Sequence, residues 1–518
     1  MAKDPILSVR DDYLSAYDEV RSIHDSFRFF ERMYLGDQWD DLEKHKNAST
    51  PSVNLIFSNV EQMVSMLSLQ HPEVSWNPVA SDDIPSAKLL TAYFRPTWKR
   101  CKLSHKAELI IRDFLIYGTS FLKPVWEENE EWMDGGDVNA HVISPLNFIP
   151  DPLAVDIDSS RFVHLEFVRS KEYVQGLCER FQVDRKTSEA ILNGGVAHQE
   201  MSEATDQTGG LTLIESWYAP SAVFPKGRLV LWTNDGIIRD EDIPYKYNQR
   251  IPIVAIHNIK RDGDFWGISE IKNMYNIQQN CNKSLGFMQD MLRYSPRRLV
   301  YAGASKKGMT IPNNPNEVIQ IGVGETMATL NQQGIEPAWM NFTAFLKQML
   351  SEVTGIHGVS MGNQGSVTAA SAIQSLASLG STRMETRKRH MVEGMEDLAW
   401  QFTRLMKQFY KKDRLVKVAG DEYEPLNAKD ISSYYDINAV YSETFPTDPL
   451  VKFNAVLQLA QLPPEAQQKA IAILGDPVLT ALWEEQAAQL TKTAQQMGNI
   501  PNPNNPEAFP GANQEVSV

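Results

Sequence analysis

Residues 341–365 read Asn341-Phe-Thr-Ala-Phe-Leu-Lys-Gln-Met-Leu-Ser-Glu-Val-Thr354, then Gly355-Ile-His-Gly-Val-Ser-Met-Gly-Asn-Gln-Gly365. The first run steps as a helix, and the glycines of the second make it a loop. Beyond the loop a helical pattern continues for about 45 residues, roughly 65 Å at the usual rise per residue. In its second half Met384, Met391, Leu398 and Leu405 alternate with Lys388, Met395, Phe402 and Phe409. This 4-3-4-3 spacing, broken only by Lys388, predicts a face that packs on another helix. The first half carries small residues, Ala369, Ala370, Ala372, Ala377 and Ser378, which permit close approach of a neighbour, and Gly380 offers a bend. So long a helix exceeds the needs of one compact domain and predicts a spine in a larger assembly.

Working outward, the 518 residues allow three or four domains' worth of chain, with 42% hydrophobic and 22% charged residues, an ordinary globular composition. No apolar run is long enough to span a membrane, and Met1-Ala-Lys-Asp-Pro5 has no apolar signal core, so neither insertion nor secretion is expected. Cys101, Cys178 and Cys281 are far apart and read as buried thiols in a reducing compartment. The formal net charge of −15 disfavours tight nucleic-acid binding over the whole surface, yet suits a surface that lets DNA pass without holding it.

Upstream, Tyr13, Tyr17, Val20, Ile23, Phe27, Phe30 and Tyr34 place a helix over 11–35, closed by Gly36. A second helix runs from Val53 to about Leu69, a strand covers 73–79, and helices cover 84–98 and 104–117. Strands are expected at 121–126, 140–143, 162–168, 211–217, 228–232 and 253–257, with short helices at 171–181 and 186–192. This is α+β with the look of a mixed sheet and no repeated βα unit. Residues 194–210 read as a polar loop. Residues 265–294 make a second long helix, with Asn273, Asn276, Gln278, Gln279, Asn280 and Asn282 crowding its polar positions for contact with a neighbouring subunit or water. Pro296 ends it, and 297–337 form a turn-rich insert with strands at 298–301 and 317–321 and local positive charge from Arg297, Arg298, Lys306 and Lys307. The chain goes out along one helix, folds briefly and returns along the other. Strands at 415–418 and 438–441, helices at 449–461, 464–474 and 477–496, and an Asn-, Pro- and Gly-rich tail complete it.

Catalytic motifs are scarce. Gly358-Val-Ser360-Met-Gly362 fits G-x-S-x-G, but a helix precedes it, and the only later acid–histidine candidates, Glu385 and His390, share one helix. No phosphate-cradling loop and no HExxH occurs, so no cofactor, metal or catalytic residue is expected. Asp151, Asp156 and Asp158 lack cation-loop spacing and read as turn residues. Arg383, Arg387, Lys388, Arg389 and His390 form a basic cluster read as a solvated or subunit-pairing face.

Several stretches, in order, resemble one family. They are Phe29-Phe-Glu-Arg-Met-Tyr34-Leu-Gly36-Asp-Gln38-Trp39 with Val53-Asn54-Leu-Ile56, then Ile116-Tyr-Gly118-Thr-Ser-Phe-Leu-Lys123, then Ser144-Pro-Leu-Asn-Phe-Ile-Pro-Asp151-Pro152. Gly267-Ile-Ser-Glu-Ile-Lys-Asn-Met-Tyr-Asn276 and Glu352-Val-Thr354-Gly355-Ile356 before the loop complete the set. The order is similar to that of the portal proteins, or head-to-tail connectors, of tailed double-stranded DNA bacteriophages. That resemblance implies a dodecameric homo-oligomeric ring at one capsid vertex, assembled in the bacterial host cytoplasm, with no enzymatic activity of its own. It implies a wing over 1–260 completed by strands of 413–446, a stem from 261–296 and 338–354, a clip over 297–337 and a tunnel loop over 355–366. A long kinked spine helix over 367–412, helical crown over 447–498 and disordered tail over 499–518 follow. Implied partners are the terminase large subunit, head–tail adaptor and tail proteins, major capsid and scaffolding proteins, and the duplex passing through. On this topology His357, Ser360, Asn363 and Gln364 fall in the tunnel loop and Arg297, Arg298, Lys306 and Lys307 dock partners. Asn276, Gln279, Asn280 and Lys283 pack stems. The rivals are a head–tail adaptor or other virion scaffold protein without a DNA channel, for which the chain is long, and a serine hydrolase using Ser360.

Overall fold

The computed structural model describes residues 5–39, 49–68, 72–129, 131–194, 210–294, 299–302, 326–329, 337–356, 370–419, 422–432 and 435–441. Residues 1–69 and 74–439 form one compact unit; the other, 70–73 and 440–518, is described only at Pro72, Glu73, Val440 and Tyr441. In chain order the elements begin with α1 (Pro5–Leu35), α2 (Leu55–Ser68), β1 (Pro72–Asn77), α3 (Ile84–Arg100), α4 (Leu103–Tyr117), β2 (Thr119–Glu128) and β3 (Gly136–Ile143). Then come β4 (Phe148–Pro150), β5 (Phe162–Ser170), α5 (Lys171–Arg180), α6 (Arg185–Asn193), β6 (Gly210–Tyr218), β7 (Arg228–Thr233), β8 (Gly236–Glu241) and β9 (Val254–His257). The remainder is α7 (Glu270–Tyr294), β10 (Leu299–Ala302), β11 (Thr326–Thr329), α8 (Pro337–Thr354), α9 (Ala370–Phe409), β12 (Arg414–Ala419), β13 (Glu422–Leu426) and β14 (Asp436–Tyr441). The chain is α+β, as its pattern predicts.

The aromatic positions of α1 decide where it lies. Val9, Tyr13, Ala16 and Val20, three or four apart, are buried against Phe162, Ile214, Tyr218, Val230 and Trp232 of the five-stranded sheet β4-β5-β6-β7-β8. The opposite face of that sheet buries Leu211, Leu213 and Ile238 against Val174 and Cys178 of α5 and Ile191 of α6. A sheet covered on both faces explains why β6 is buried nearly along its length instead of alternating with solvent. Every pairing within it is antiparallel, and so are those of the three-stranded sheet β3-β2-β9. The mixed-sheet expectation is therefore corrected: β7 turns tightly into β8 as antiparallel strands can, and β5 and β6 pair antiparallel although two helices lie between them in sequence.

Under α1 the sheet buries a polar pair. Tyr13 Oη donates to Glu166 Oε2 at 3.2 Å, while Glu166 Oε1 has no hydrogen-bond partner among the described residues. Burial pushes the Glu166 carboxyl up to about 7 from its ordinary 4.5. The folded state thus holds this proton to higher pH than the unfolded chain does. Its contribution is greatest below about 4.5 and fades as pH rises through about 7. Glu166→Gln should unfold at higher denaturant than the parent at pH 8, by about 2–3 kcal/mol, and the gap should close by pH 5. Chemical denaturation at the two pH values measures it.

β2 sends alternate side chains to opposite faces. Phe121 stacks on Phe148 of β4 at 3.7 Å between centroids, and Trp126 stacks on Phe409 of α9 at 4.8 Å. Met384, Met391, Met395, Leu398, Phe402 and Leu405 are all buried, as their spacing predicts. Their partner is not chiefly another helix: α9 lies across β9 and β2, and a Cβ on Gly394 would come within 2.5 Å of Ile256 Cγ1. The heptad breaks at Lys388 because Arg387, one residue earlier, turns inward instead. That is the drift of a 3.6-residue turn against a 3.5-residue repeat.

Candidate functional site

The element with the most unusual anchoring is the base of α7. The sequence predicts this helix from 265, but it begins at Glu270. Phe265 and Trp266 are an aromatic plug instead: Trp266 meets Phe27 of α1 edge to face at 5.2 Å and Phe121 at 5.8 Å. Gly267 then passes so close to Gly118 that a Cβ on either would sit within 2.2 Å of the other's carbonyl oxygen. Gly118 ends α4 at φ 93°, a left-handed conformation open to glycine. Polar bonds lock the crossing: Asn258 N–H to Gly118 O at 2.9 Å, Gly267 N–H to Thr119 Oγ1 at 2.8 Å, and Asn258 Nδ2 to Ile268 O at 2.8 Å. Ser269 Oγ accepts from Ile271 N–H at 3.0 Å, satisfying one of the free donors of the first turn.

A buried ion pair completes this root. Glu270, in the first turn of α7, pairs with Arg387 of α9; both are buried, and Arg387 Nε also donates to Asn258 Oδ1 at 2.8 Å. Burial pulls the Arg387 guanidinium down to about 10. The His390 ring lies 3.0 Å through Nδ1 from His257 O. Two of the five residues read as a solvated or subunit-pairing basic cluster therefore serve the fold instead: Arg387 joins α9 to the start of α7 and His390 joins it to the end of β9. Burial likewise holds the His257 ring down at about 3.

A second knot holds the middle of α7. Gln278 accepts from Leu55 N–H at 3.0 Å and donates to Val53 O at 2.7 Å and Asn282 Oδ1 at 3.0 Å. Asn282 donates to Gln38 Oε1 at 2.6 Å, and Gln38 donates to Asn54 Oδ1 at 3.0 Å and Met33 O at 2.9 Å. Asn54 donates to Tyr34 O at 2.7 Å and accepts from Phe57 N–H at 3.0 Å in the first turn of α2. Gln278 and Asn282, expected to face a neighbouring subunit or water, are fully buried and serve the chain's own backbone. An i, i+4 amide pair beside the buried Met274 and Cys281 was the available signal.

α8 returns along α7. Phe287 meets Trp339 at 4.8 Å between ring centroids, and the Cys281 thiol, pushed up by burial, is drawn back by the charge of Lys347, so the two helices run antiparallel. Thr343, Leu346, Leu350 and Thr354 are the buried side of α8, and Thr354 Oγ1 reaches Asn59 Oδ1 of α2 at 3.3 Å. Between the two helices in sequence, β10 and β11 pair antiparallel, Leu299 opposite Thr329 and Ala302 opposite Thr326. Of these two strands the sequence predicts the first.

The stem-packing candidates Asn276, Gln279, Asn280 and Lys283 share one exposed to half-exposed stripe of α7. His357, Ser360, Asn363, Gln364, Arg297, Arg298, Lys306 and Lys307 lie outside the described residues, as do the strand expected at 317–321, all but the two end residues of the loop expected at 194–210, and the helices expected after 448. Asp151 is tied to Arg161 at 2.6 and 2.7 Å, Asp156 accepts from Ser159 N–H at 2.7 Å and Asp158 meets Arg250 at 3.3 Å, so all three are turn and ion-pair residues. Among the described residues no group of His, Cys, Asp and Glu could hold a metal, and no helix is long and apolar enough to cross a membrane. The three cysteines are free and buried.

The arrangement is mechanically specific: a helix pair gripped at its base by an α+β body. The family model described as phage P22-like portal protein matches residues 10–517, and the chain belongs to that family. No curated protein matches the chain. Membership makes it a structural portal protein of the capsid vertex, acting as a homo-oligomeric ring with capsid and terminase, with roles in packaging and docking that follow from the family. The family is structural and non-enzymatic.

Proposed function

We propose that twelve copies close into the ring, that the duplex threads its centre during packaging and ejection, and that the chain catalyses nothing. The carrying observation is the out-and-back helix pair: α7 leaves a polar root, β10 and β11 pair at the far end of the excursion, and α8 comes back along α7. On this reading 1–260 with 413–446 is the wing, 261–296 and 338–354 the stem, 297–337 the clip, 355–366 the tunnel loop, 367–412 the spine, 447–498 the crown and 499–518 a tail. The terminase large subunit docks on the clip, replaced after packaging by head–tail adaptor and tail proteins, while major capsid and scaffolding proteins surround the ring during assembly in the host cytoplasm. The net charge of −15 supports a bore that is not net positive, since each Lys or Arg contact to phosphate would add affinity through counterion release.

Asn276, Gln279, Asn280 and Lys283 pack stems together, and His357, Asn363 and Gln364 of the tunnel loop, which also holds Ser360, project toward the axis. Arg297, Arg298, Lys306 and Lys307 form the docking charge of the clip. Deleting 357–364 should leave rings intact and lower the DNA packaged per particle, and unchanged packaging would reject the loop's role. Reversing the four clip charges should weaken terminase and adaptor binding, and unchanged binding would remove that assignment.

A further inference from the structure

A closed ring of identical subunits needs two unlike, complementary patches on each copy, because the contact is head to tail. The helix pair carries two such surfaces. Besides its buried side, α8 exposes Phe342 (44%), Phe345 (54%), Met349 (36%) and Val353 (40%). Their 3-4-4 spacing makes them a second continuous apolar stripe on one helix. Removing the exposed part of such side chains from water is favourable in proportion to the apolar area covered, so the stripe has a drive to be covered.

The second surface is a groove of about 470 Å³ between α1 and α7, lined by Asp25, Ser26, Phe29, Phe30, Lys272 and Tyr275. Phe29 and Tyr275 meet edge to face across it at 5.6 Å. Tyr275 stands about 120° around α7 from Phe287, which meets Trp339 of α8, so the Tyr275 wall of the groove is turned away from the side of α7 that α8 covers.

We propose that in the ring the apolar stripe of α8 from one subunit seats in the α1–α7 groove of the next. The pairing rests on the ring reading above and names the surfaces that make it. Heights agree: Phe287 is level with Trp339, and counting back along antiparallel helices puts Val353 about level with Tyr275. Rotation about an axis along the helices preserves that level from copy to copy. Charges also match, since Glu352 lies within the stripe and Lys272 at the rim of the groove. Asn276, Gln279, Asn280 and Lys283 continue the groove side along α7 and border the contact with polar side chains, as the rim of an interface does.

Cysteine pairing tests this. In Val353→Cys/Tyr275→Cys the pairing makes the new thiols adjacent between copies, on two different helices of each chain; the native cysteines are buried. Oxidation of assembled protein should give a ladder of covalent oligomers reaching the closed ring, and neither single variant should. Phe345→Glu alters a side chain exposed in the single subunit, so subunit melting should stay unchanged while the concentration needed for ring formation rises about 30-fold, the loss typical of one central anchor. Rings that form normally yet give no ladder, together with unaltered assembly of Phe345→Glu, would overturn the pairing and leave the ring standing. A ladder that stops at the dimer would show an isologous contact and overturn it too. Parent protein that forms no ring at any concentration would remove the ring reading and the pairing with it.

Discussion

Arg387→Met is expected to destabilise the subunit by about 3–5 kcal/mol, because it strips the buried Glu270 of its only counter-charge among the described residues. Asn258 Nδ2 remains within 3.2 Å of Glu270 Oε1, but one neutral donor does not balance a buried carboxylate. Removing both charges, in Glu270→Gln/Arg387→Met, should recover much of the loss, since the cost lies in the unpaired ion more than in the missing attraction. The effect should also reach assembly: the pair fastens the first turn of α7 to α9, and a loosened root presents the helix pair less sharply to its neighbours. Urea denaturation of the two variants beside the parent measures it. A loss under about 1 kcal/mol for the single variant would mean that Glu270 finds other solvation and that the root is held elsewhere.

Gly118→Ala is expected to cost about 2–5 kcal/mol from two separable sources. The left-handed backbone at φ 93° penalises any L side chain by about 1–2 kcal/mol. The new Cβ would also stand 2.1 Å from Gly267 O and 2.6 Å from Gly267 C, backbone atoms fixed by the crossing itself, and overpacking of that kind adds about 1–3 kcal/mol. Gly135→Ala is the control: φ is +73°, yet nothing lies within 4 Å of its Cβ, so only the first penalty applies. Equal losses at the two positions would show that the α4–α7 crossing gives way and is not a fixed pivot.

What the sequence shows plainly is periodicity. α1, α2, α7, α8 and α9 are each legible from apolar steps of three and four, and the hydrophobic strands β2, β5, β6, β7 and β9 from their Val-, Ile-, Leu- and Trp-rich runs. What it hides has physical reasons. β8, Gly236-Ile-Ile-Arg-Asp-Glu241, is the last strand of its sheet and carries the charges that guard such edges, so it does not look like a strand. β13 contains Pro425, and β4 is only three residues long. The start of α7 was misplaced because 265–269 is compatible with a helix locally; only the meeting with Gly118, about 150 positions earlier, forbids it.

The same limit applies to the site. Asn54, Gln278, Asn282, Glu270 and Arg387 carry the root, yet polar residues on a helix look alike in sequence whether they face water or a backbone two hundred residues away. The family stretches around Gln38, Asn54, Gly118 and Gly267 meet α7 in space, the two glycines at its base and the two amides at its middle. Their order in the chain disclosed the family; their meeting discloses what they hold.

The measurement that bears most directly on the account is an electron cryomicroscopy reconstruction of the purified, assembled chain. The expected result is a closed perforated ring in which α7 and α8 stand as a layer of paired helices around the hole, with β10 and β11 at one end. Protein that remains monomeric or grows into open filaments, or a ring whose helix pairs lie on its outer rim away from the hole, would contradict it.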